Sequence, residues 1–174
     1  MRTRHPKTKD SRDYIGIDNG VTGSVGIISV STTKRTTEFH SIPVFKQQNY
    51  TKKKGNISRV NVHDLRDILV LRSNPVVLLE RPMVNPTRFK STTSALRALE
   101  ATLIALDLLE LPVIYIDSKE WQKKLLPGGV SGSAELKKAS MDVGLRMFPE
   151  HSRLIKKRKE ADGLLIAEYA RRTY

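Results

Sequence analysis

The sequence predicts an α/β protein built on one mixed sheet with helices on its faces. Three observations lead there: short apolar runs ending in polar rims, Ala- and Leu-rich stretches of helical length between them, and strands that feed helical crossovers. Residues 14–17 read as the first buried strand. Residues 23–31 follow a glycine-bearing turn, near enough to pair with it as an antiparallel hairpin. Residues 36–44 form a third strand with partial alternation, ended near Pro43. A polar stretch over 46–59 separates this strand from the next helix, and its Lys52-Lys-Lys-Gly-Asn56 has loop chemistry. A helix over 62–72 starts after Asn61 as its cap, with Leu65, Ile68, Leu69 and Arg72 at helical spacing. Residues 75–80 are continuously apolar, as a central strand covered on both faces requires. A long helix over 91–110, a buried strand over 112–117 and a short helix over 118–125 come next, the last capped by Ser118 with Trp121 in the core. Pro127-Gly-Gly-Val-Ser-Gly132 is a flexible connector. Helices over 133–147 and 159–172 complete the chain, and Arg171 and Arg172 suit the negative dipole of the last.

At 174 residues the chain suits one domain, here 13–174, behind a disordered basic arm over 1–12. It has no internal repeat. Zero cysteines exclude disulfides and thiolate zinc sites and fit a reducing compartment. No segment is long enough to cross a membrane, and no basic amphipathic helix offers a broad apolar face. The N-terminus lacks the apolar stretch of a signal peptide. A formal net charge of +13 favours a polyanionic partner, and nucleic acid above all.

Against that charge, three acids stand at the ends of core elements. Asp18 closes the first strand and Glu80 closes Val76-Val-Leu-Leu79. Asp162 opens an apolar helical segment and shares a face with Leu165, Ile166 and Tyr169. Each has a bland reading: turn aspartate, strand-end glutamate paired with Arg81, acid favoured by a helix dipole. Parallel strands ending side by side would nevertheless put Glu80 next to Asp18, and two such carboxylates repel unless a cation lies between them. Magnesium suits that need, with manganese as a substitute. On a helix running from 159, Lys159 shares the face of Asp162, whereas Glu160 is rotated from it by about 200° and faces elsewhere unless the helix begins later. Glu168 reads as exposed.

Basic residues recur beside these acids. Lys52, Lys53, Lys54 and Arg59 cluster in one segment; Arg88, Phe89 and Lys90 follow the Glu80 strand; Lys119, Lys123, Lys124, Lys137 and Lys138 line later helices; 156–159 is a basic run. Phosphate contacts are their expected role, with Phe89 placed to stack on or wedge between bases.

Taken in order, these residues carry a resemblance. Gly16-Ile-Asp18-Asn-Gly20, Gly23-Ser-Val-Gly26 and Leu79-Glu80-Arg-Pro82 resemble the first two motifs of RuvC-type Holliday junction resolvases. Asp117-Ser-Lys-Glu-Trp-Gln-Lys-Lys124, Lys137-Lys-Ala-Ser140, Met147-Phe-Pro149 and Ala161-Asp-Gly-Leu-Leu-Ile-Ala-Glu-Tyr169 resemble the phage and plastid branch of that family. The resemblance covers residues 14–172. It implies a ribonuclease H-like, five-stranded mixed sheet flanked by helices, a homodimer, and magnesium-dependent nicking of four-way DNA junctions. It places Asp18, Glu80 and Asp162 on the family's metal-binding acids. The departure is at the fourth position, three residues before the last aspartate, where the family usually has an acid or a histidine and this chain has Lys159. Three alternatives stand: Glu160 substitutes through a distorted helix start, three carboxylates suffice with Lys159 contacting phosphate or water, or catalysis is weak.

The resulting expectation is a structure-selective endonuclease. Its acids would hold two magnesium ions roughly 4 Å apart on the scissile phosphate, and a dimer would make symmetric nicks. It would act inside a cell, in bacterial or phage-infected cytoplasm or a DNA-containing organelle. The rivals are a ribonuclease H-like nuclease acting on RNA–DNA hybrids or flaps, and a non-catalytic junction binder.

Overall fold

A computed structural model of the chain describes residues 11–50, 52 and 54–174. Residues 1–10 of the arm expected over 1–12, and Lys53, therefore lie outside the described residues, while Arg12 belongs to the first strand. Five strands, β1 (Arg12–Asp18), β2 (Ser24–Val30), β3 (Arg35–Ser41), β6 (Val76–Glu80) and β7 (Val113–Ile116), form one sheet in the order β3-β2-β1-β6-β7. β2 runs antiparallel to both β1 and β3, whereas β1, β6 and β7 are mutually parallel neighbours. The expected α/β class and mixed five-stranded sheet are present.

Period-two alternation divides the side chains between two cores. Ile15, Ile17, Val77 and Leu79 face α1 (Val62–Leu69) and α2 (Phe89–Asp107), meeting Leu65, Leu69, Ala98, Ala105 and Leu106. Ile28, Val76, Leu78 and Ile116 face the opposite layer of α3 (Ser118–Leu125), α4 (Ser133–Met147), α5 (Ser152–Arg158) and α6 (Asp162–Thr173). Each fully buried aliphatic side chain in these cores contributes roughly 1.5–3 kcal/mol.

Glycine sets how closely α6 approaches the sheet. Gly16 and Gly26 are register partners on β1 and β2, both on the α6 face. A Cβ on Gly16 would lie 2.3 Å from the Ala167 nitrogen, and one on Gly26 would lie 2.4 Å from the Gly163 oxygen. Any side chain there would lift the helix off the strands.

Several boundaries differ from the sequence reading. The two ends of segment 46–59 belong to a second, two-stranded sheet, β4 (Val44–Gln48) paired with β5 (Asn56–Val60), with Val44 opposite Val60. Every residue of β4 is exposed, so its polarity marks a solvated ribbon rather than the absence of a strand. β3 stops at Ser41 although Ile42 still donates its N–H to the Gly23 oxygen in register; Gly23 turns its own N–H to the Gly20 oxygen, and Pro43 has none to donate. α1 ends at Leu69, followed by a left-handed Leu71 (φ 64°), so Arg72 leaves the helix. α2 is bounded by Phe89 and Asp107 rather than 91 and 110. Asp117, not Ser118, caps α3, and the Glu120 carboxylate accepts from the Asp117 N–H at 2.9 Å. The last helix, α6, begins at Asp162 rather than 159, and an additional helix, α5, ends at Arg158 just before it. No helix among the described residues is long and apolar enough to cross a membrane.

Candidate active site

The acids gather at the carboxyl ends of the parallel strands. Ile17 pairs with Leu79, so the next residues along β1 and β6, Asp18 and Glu80, are neighbours on adjacent strands. Ile17 and Leu79 face α1 and α2, so alternation turns Asp18 and Glu80 to the α6 side. There the glycine contacts deliver the first residue of α6, Asp162. Asp18, Glu160 and Asp162 each present a carboxylate oxygen, and these oxygens lie within 4.8 Å of one another.

Of the three acids expected from sequence, Asp18 and Asp162 therefore meet closely. Glu80 lies outside that set but near enough to repel Asp18. Its orientation is fixed by Trp121, fully buried on α3, whose indole N–H donates to Glu80 Oε2 at 2.9 Å. Arg81 does not neutralise Glu80; it pairs with Asp117 at 3.0 Å. Asp162 accepts from the Ser140 hydroxyl, which in turn accepts from the Ala161 N–H.

Glu160 enters the cluster because the helix begins later than its sequence suggests. Lys159 adopts a left-handed conformation (φ 62°) as the C-cap of α5, and this reversal leaves Lys159 exposed and Glu160 buried. Glu160 Oε2 accepts from the Asp162 N–H at 2.7 Å and from the Ser24 hydroxyl at 3.4 Å; Oε1 accepts from Arg158 Nε. Arg158 was legible only as part of a basic run, and nothing in the pattern singled out Ser24, Ser140 or the Trp121 N–H.

The electrostatics follow from burial without full compensation. Burial drives the Asp18 carboxyl well above the usual range, and repulsion from Asp162, Glu80 and Glu160 adds to it. Glu80 is pushed up to about 7 by burial, with repulsion from Asp162 and Asp117 opposing the help of the Trp121 hydrogen bond. Asp162 rises to about 6, again mainly through burial; Ser140 works against this rise, and Lys137 and Arg158 weakly favour the charged form. The donor set is carboxylate oxygen throughout, with neither imidazole nor thiolate in it. Hard cations of the magnesium or manganese kind fit such a set, and their charge would reverse the upward shifts.

The basic residues are less concentrated. Lys52, Lys54, Arg59, Arg88, Lys90, Lys119, Lys123, Lys137 and Lys138 are exposed, and Phe89 is 74 % exposed at the start of α2. Lys137 lies close enough to favour the charge on Asp162. Lys124 faces the other end of α6: its ammonium donates to Thr173 at 3.2 Å and lies over the Tyr169 ring. Arg59 is engaged with Gln47 at 2.6 Å and covers the Phe45 ring. Glu168, expected in solvent, is 1 % exposed and held by Arg35, Arg171 and Arg172. It faces inward because Gly16 and Gly26 let α6 lie so close to the sheet.

Sheet order, strand directions and helix placement together define the ribonuclease H-like α/β fold. Within that class the chain has the fold of RuvC-type resolvases. It is similar to T. thermophilus RuvC in complex with a Holliday junction substrate, with 17 % identity, 94 % of this chain and 96 % of that one covered, and a TM-score of 0.52. A second Thermus thermophilus RuvC structure matches at 18 % identity, over 93 % of this chain and 96 % of that one, with a TM-score of 0.48. No family model matches the chain. No curated protein sequence matches it either.

Proposed function

We propose that the protein is a structure-selective DNA endonuclease that nicks four-way junctions with the help of magnesium ions. The observation that carries the reading is the convergence of Asp18, Glu160 and Asp162, with Glu80 beside them, at the open end of the sheet of a strongly basic protein. The likeness to T. thermophilus RuvC in complex with a Holliday junction substrate supports the choice of substrate.

Asp18, Glu160 and Asp162 would hold the cations, and Glu80 would complete the set. Bound magnesium supplies Lewis-acid stabilisation of the scissile phosphate and lowers the pKa of an attacking water. The chain's own residues do the rest. Ser140 and the Asp162 N–H fix the carboxylates of Asp162 and Glu160, Trp121 fixes that of Glu80, and the apolar cores behind them exclude water from one side. Exposed lysines and arginines contact phosphates without reading sequence; among them Lys137 lies close enough to favour the charge on Asp162, and Lys159 adjoins Glu160 in the chain. Phe89 stacks on an unpaired base at the branch point. A homodimer sets two sites on opposing strands and so makes paired nicks.

The test is a substrate panel: a synthetic four-way junction, an RNA–DNA hybrid, a flap and a plain duplex, each with magnesium, with manganese and with chelator. Metal-dependent, paired nicks in the junction and little cutting elsewhere are expected. Preferential cutting of the hybrid moves the assignment to a ribonuclease. Tight junction binding without cutting in either metal makes the protein a binder and ends the nuclease reading.

A further inference from the structure

Arg158 has no counterpart among the acids the motif order pointed to, yet it is the best-anchored cation near them. Its side chain is 11 % exposed. Its Nε donates to Glu160 Oε1. Nη1 donates to Ser41 Oγ at 2.7 Å, and Nη2 donates to the backbone oxygens of Thr22 and Gly23 at 2.7 and 2.8 Å. The guanidinium also lies 5.8 Å from the centre of the Phe39 ring. One planar group thus joins three pieces of chain: the α5–α6 junction that carries Glu160, the β1–β2 turn that follows Asp18, and the end of β3.

We infer that Arg158 is a positioning residue that holds Glu160 in register with Asp18 before any cation arrives. The inference rests on the reading of the acid cluster as a metal site. The left-handed Lys159 allows it, because that reversal leaves both Arg158 and Glu160 largely buried while Lys159 stays in solvent. Without the clamp, Glu160 would keep only the contacts to Oε2, from the Asp162 N–H at 2.7 Å and the Ser24 hydroxyl at 3.4 Å, and Oε1 would lose its one side-chain donor. Held by the clamp, it can offer an oxygen to a shared ion although it stands one place away from the family's usual position. A lysine cannot replace the fork: it offers one point charge where four hydrogen bonds of fixed direction are made. The Arg158 guanidinium is engaged with four protein acceptors and is 11 % exposed, so its effect belongs in metal affinity rather than in DNA binding.

The experiment measures Mn2+ binding to the metal-free protein, without DNA, by electron paramagnetic resonance and calorimetry. The proteins are wild type, R158A, R158K, E160Q and R158K/E160Q, each checked for folding by circular dichroism. Arg158→Ala should weaken Mn2+ by about 10–100-fold, as loss of a partner that orients a ligand does. Arg158→Lys, which keeps the charge and the fold should R158A lose it, should still weaken Mn2+ about tenfold. In the Glu160→Gln background R158K should change nothing further, and a separate gel-shift in chelator should give R158K the junction affinity of wild type. Equal Mn2+ affinity in R158K and wild type overturns the role of Arg158 and leaves the metal site standing, as does full additivity in the double variant. No Mn2+ binding by wild type overturns the metal reading and the role of Arg158 with it.

Discussion

Two acids on the same helix are treated in opposite ways. Glu168, in the second half of α6, is buried, and burial alone would raise its pKa; hydrogen bonds from Arg171 and Arg172 outweigh this and hold the carboxyl below its usual value. Asp162, at the first turn of α6, is also mostly enclosed, yet its carboxyl rises to about 6, and Glu80 beside it rises to about 7. The surface has arginines and lysines in excess, so the shortage at the rim is not one of supply. A structural acid is compensated by the fold; the rim acids are left short of positive charge, which marks a place for an outside cation.

The most severe way to break the contrast is to exchange the two kinds of acid for amides. Asp18→Asn should reduce junction nicking below detection while leaving junction binding intact in a gel-shift assay. Glu168→Gln should leave the rate per folded molecule unchanged but cost roughly 2 kcal/mol, a fall of about 4–8 °C in melting temperature. Nicking at the wild-type rate by the Asp18 variant would remove Asp18 from the chemistry.

Moving the helix instead of its charges comes next. In Gly26→Ala the added methyl meets the Gly163 oxygen and pushes α6, with Asp162, away from Asp18. A displacement of about 1 Å should cost on the order of 100-fold in rate, measured in single-turnover assays. An unchanged rate would show that the approach of α6 does not set the site.

pH separates the two acids by sign. Glu80 and Asp162 have raised values in the folded chain, so their contribution to stability is complete below about pH 4 and lost as pH climbs through 6 to 7. Glu168 is lowered, so its contribution is present above its ordinary value and lost in acid. In chelator the melting temperature should fall by a few degrees between about pH 5 and pH 8, and magnesium should restore it at pH 8 but hardly at pH 5. A flat profile in chelator would contradict uncompensated burial of the rim.

Smaller effects sharpen the picture. Trp121→Phe keeps the ring but removes the donor to Glu80, and should raise the magnesium needed for half-maximal nicking about tenfold with less change at saturation. Lys119→Ala should reduce the salt dependence of junction binding by about one unit of slope and leave magnesium dependence alone.

The sheet and its two carboxylate-bearing strands were readable because apolar runs ending in an acid carry their own signal. The order of the main strands and helices was equally plain, although no helix was read over α5 (Ser152–Arg158). The β4–β5 hairpin was not, since an exposed ribbon of Lys, Gln and Asn has no apolar period to find. Glu160 stood off the face of Asp162 on a helix begun at 159 and could join it only on a later start; the start is later, at Asp162, and the left-handed Lys159 before it is a residue type that does not announce such a turn. Glu168 was misjudged for a related reason. Its burial depends on how near α6 lies to the strands, and the cue was two glycines, Gly16 and Gly26, on the same face of paired strands.

The claim beneath all of this is that the rim acids share a cation. An anomalous difference map from crystals soaked in Mn2+ tests it directly. The account predicts a peak bounded by Asp18, Glu160 and Asp162, with Glu80 on its flank. Strong Mn2+ peaks elsewhere on the protein, with those side chains left bare, would contradict it.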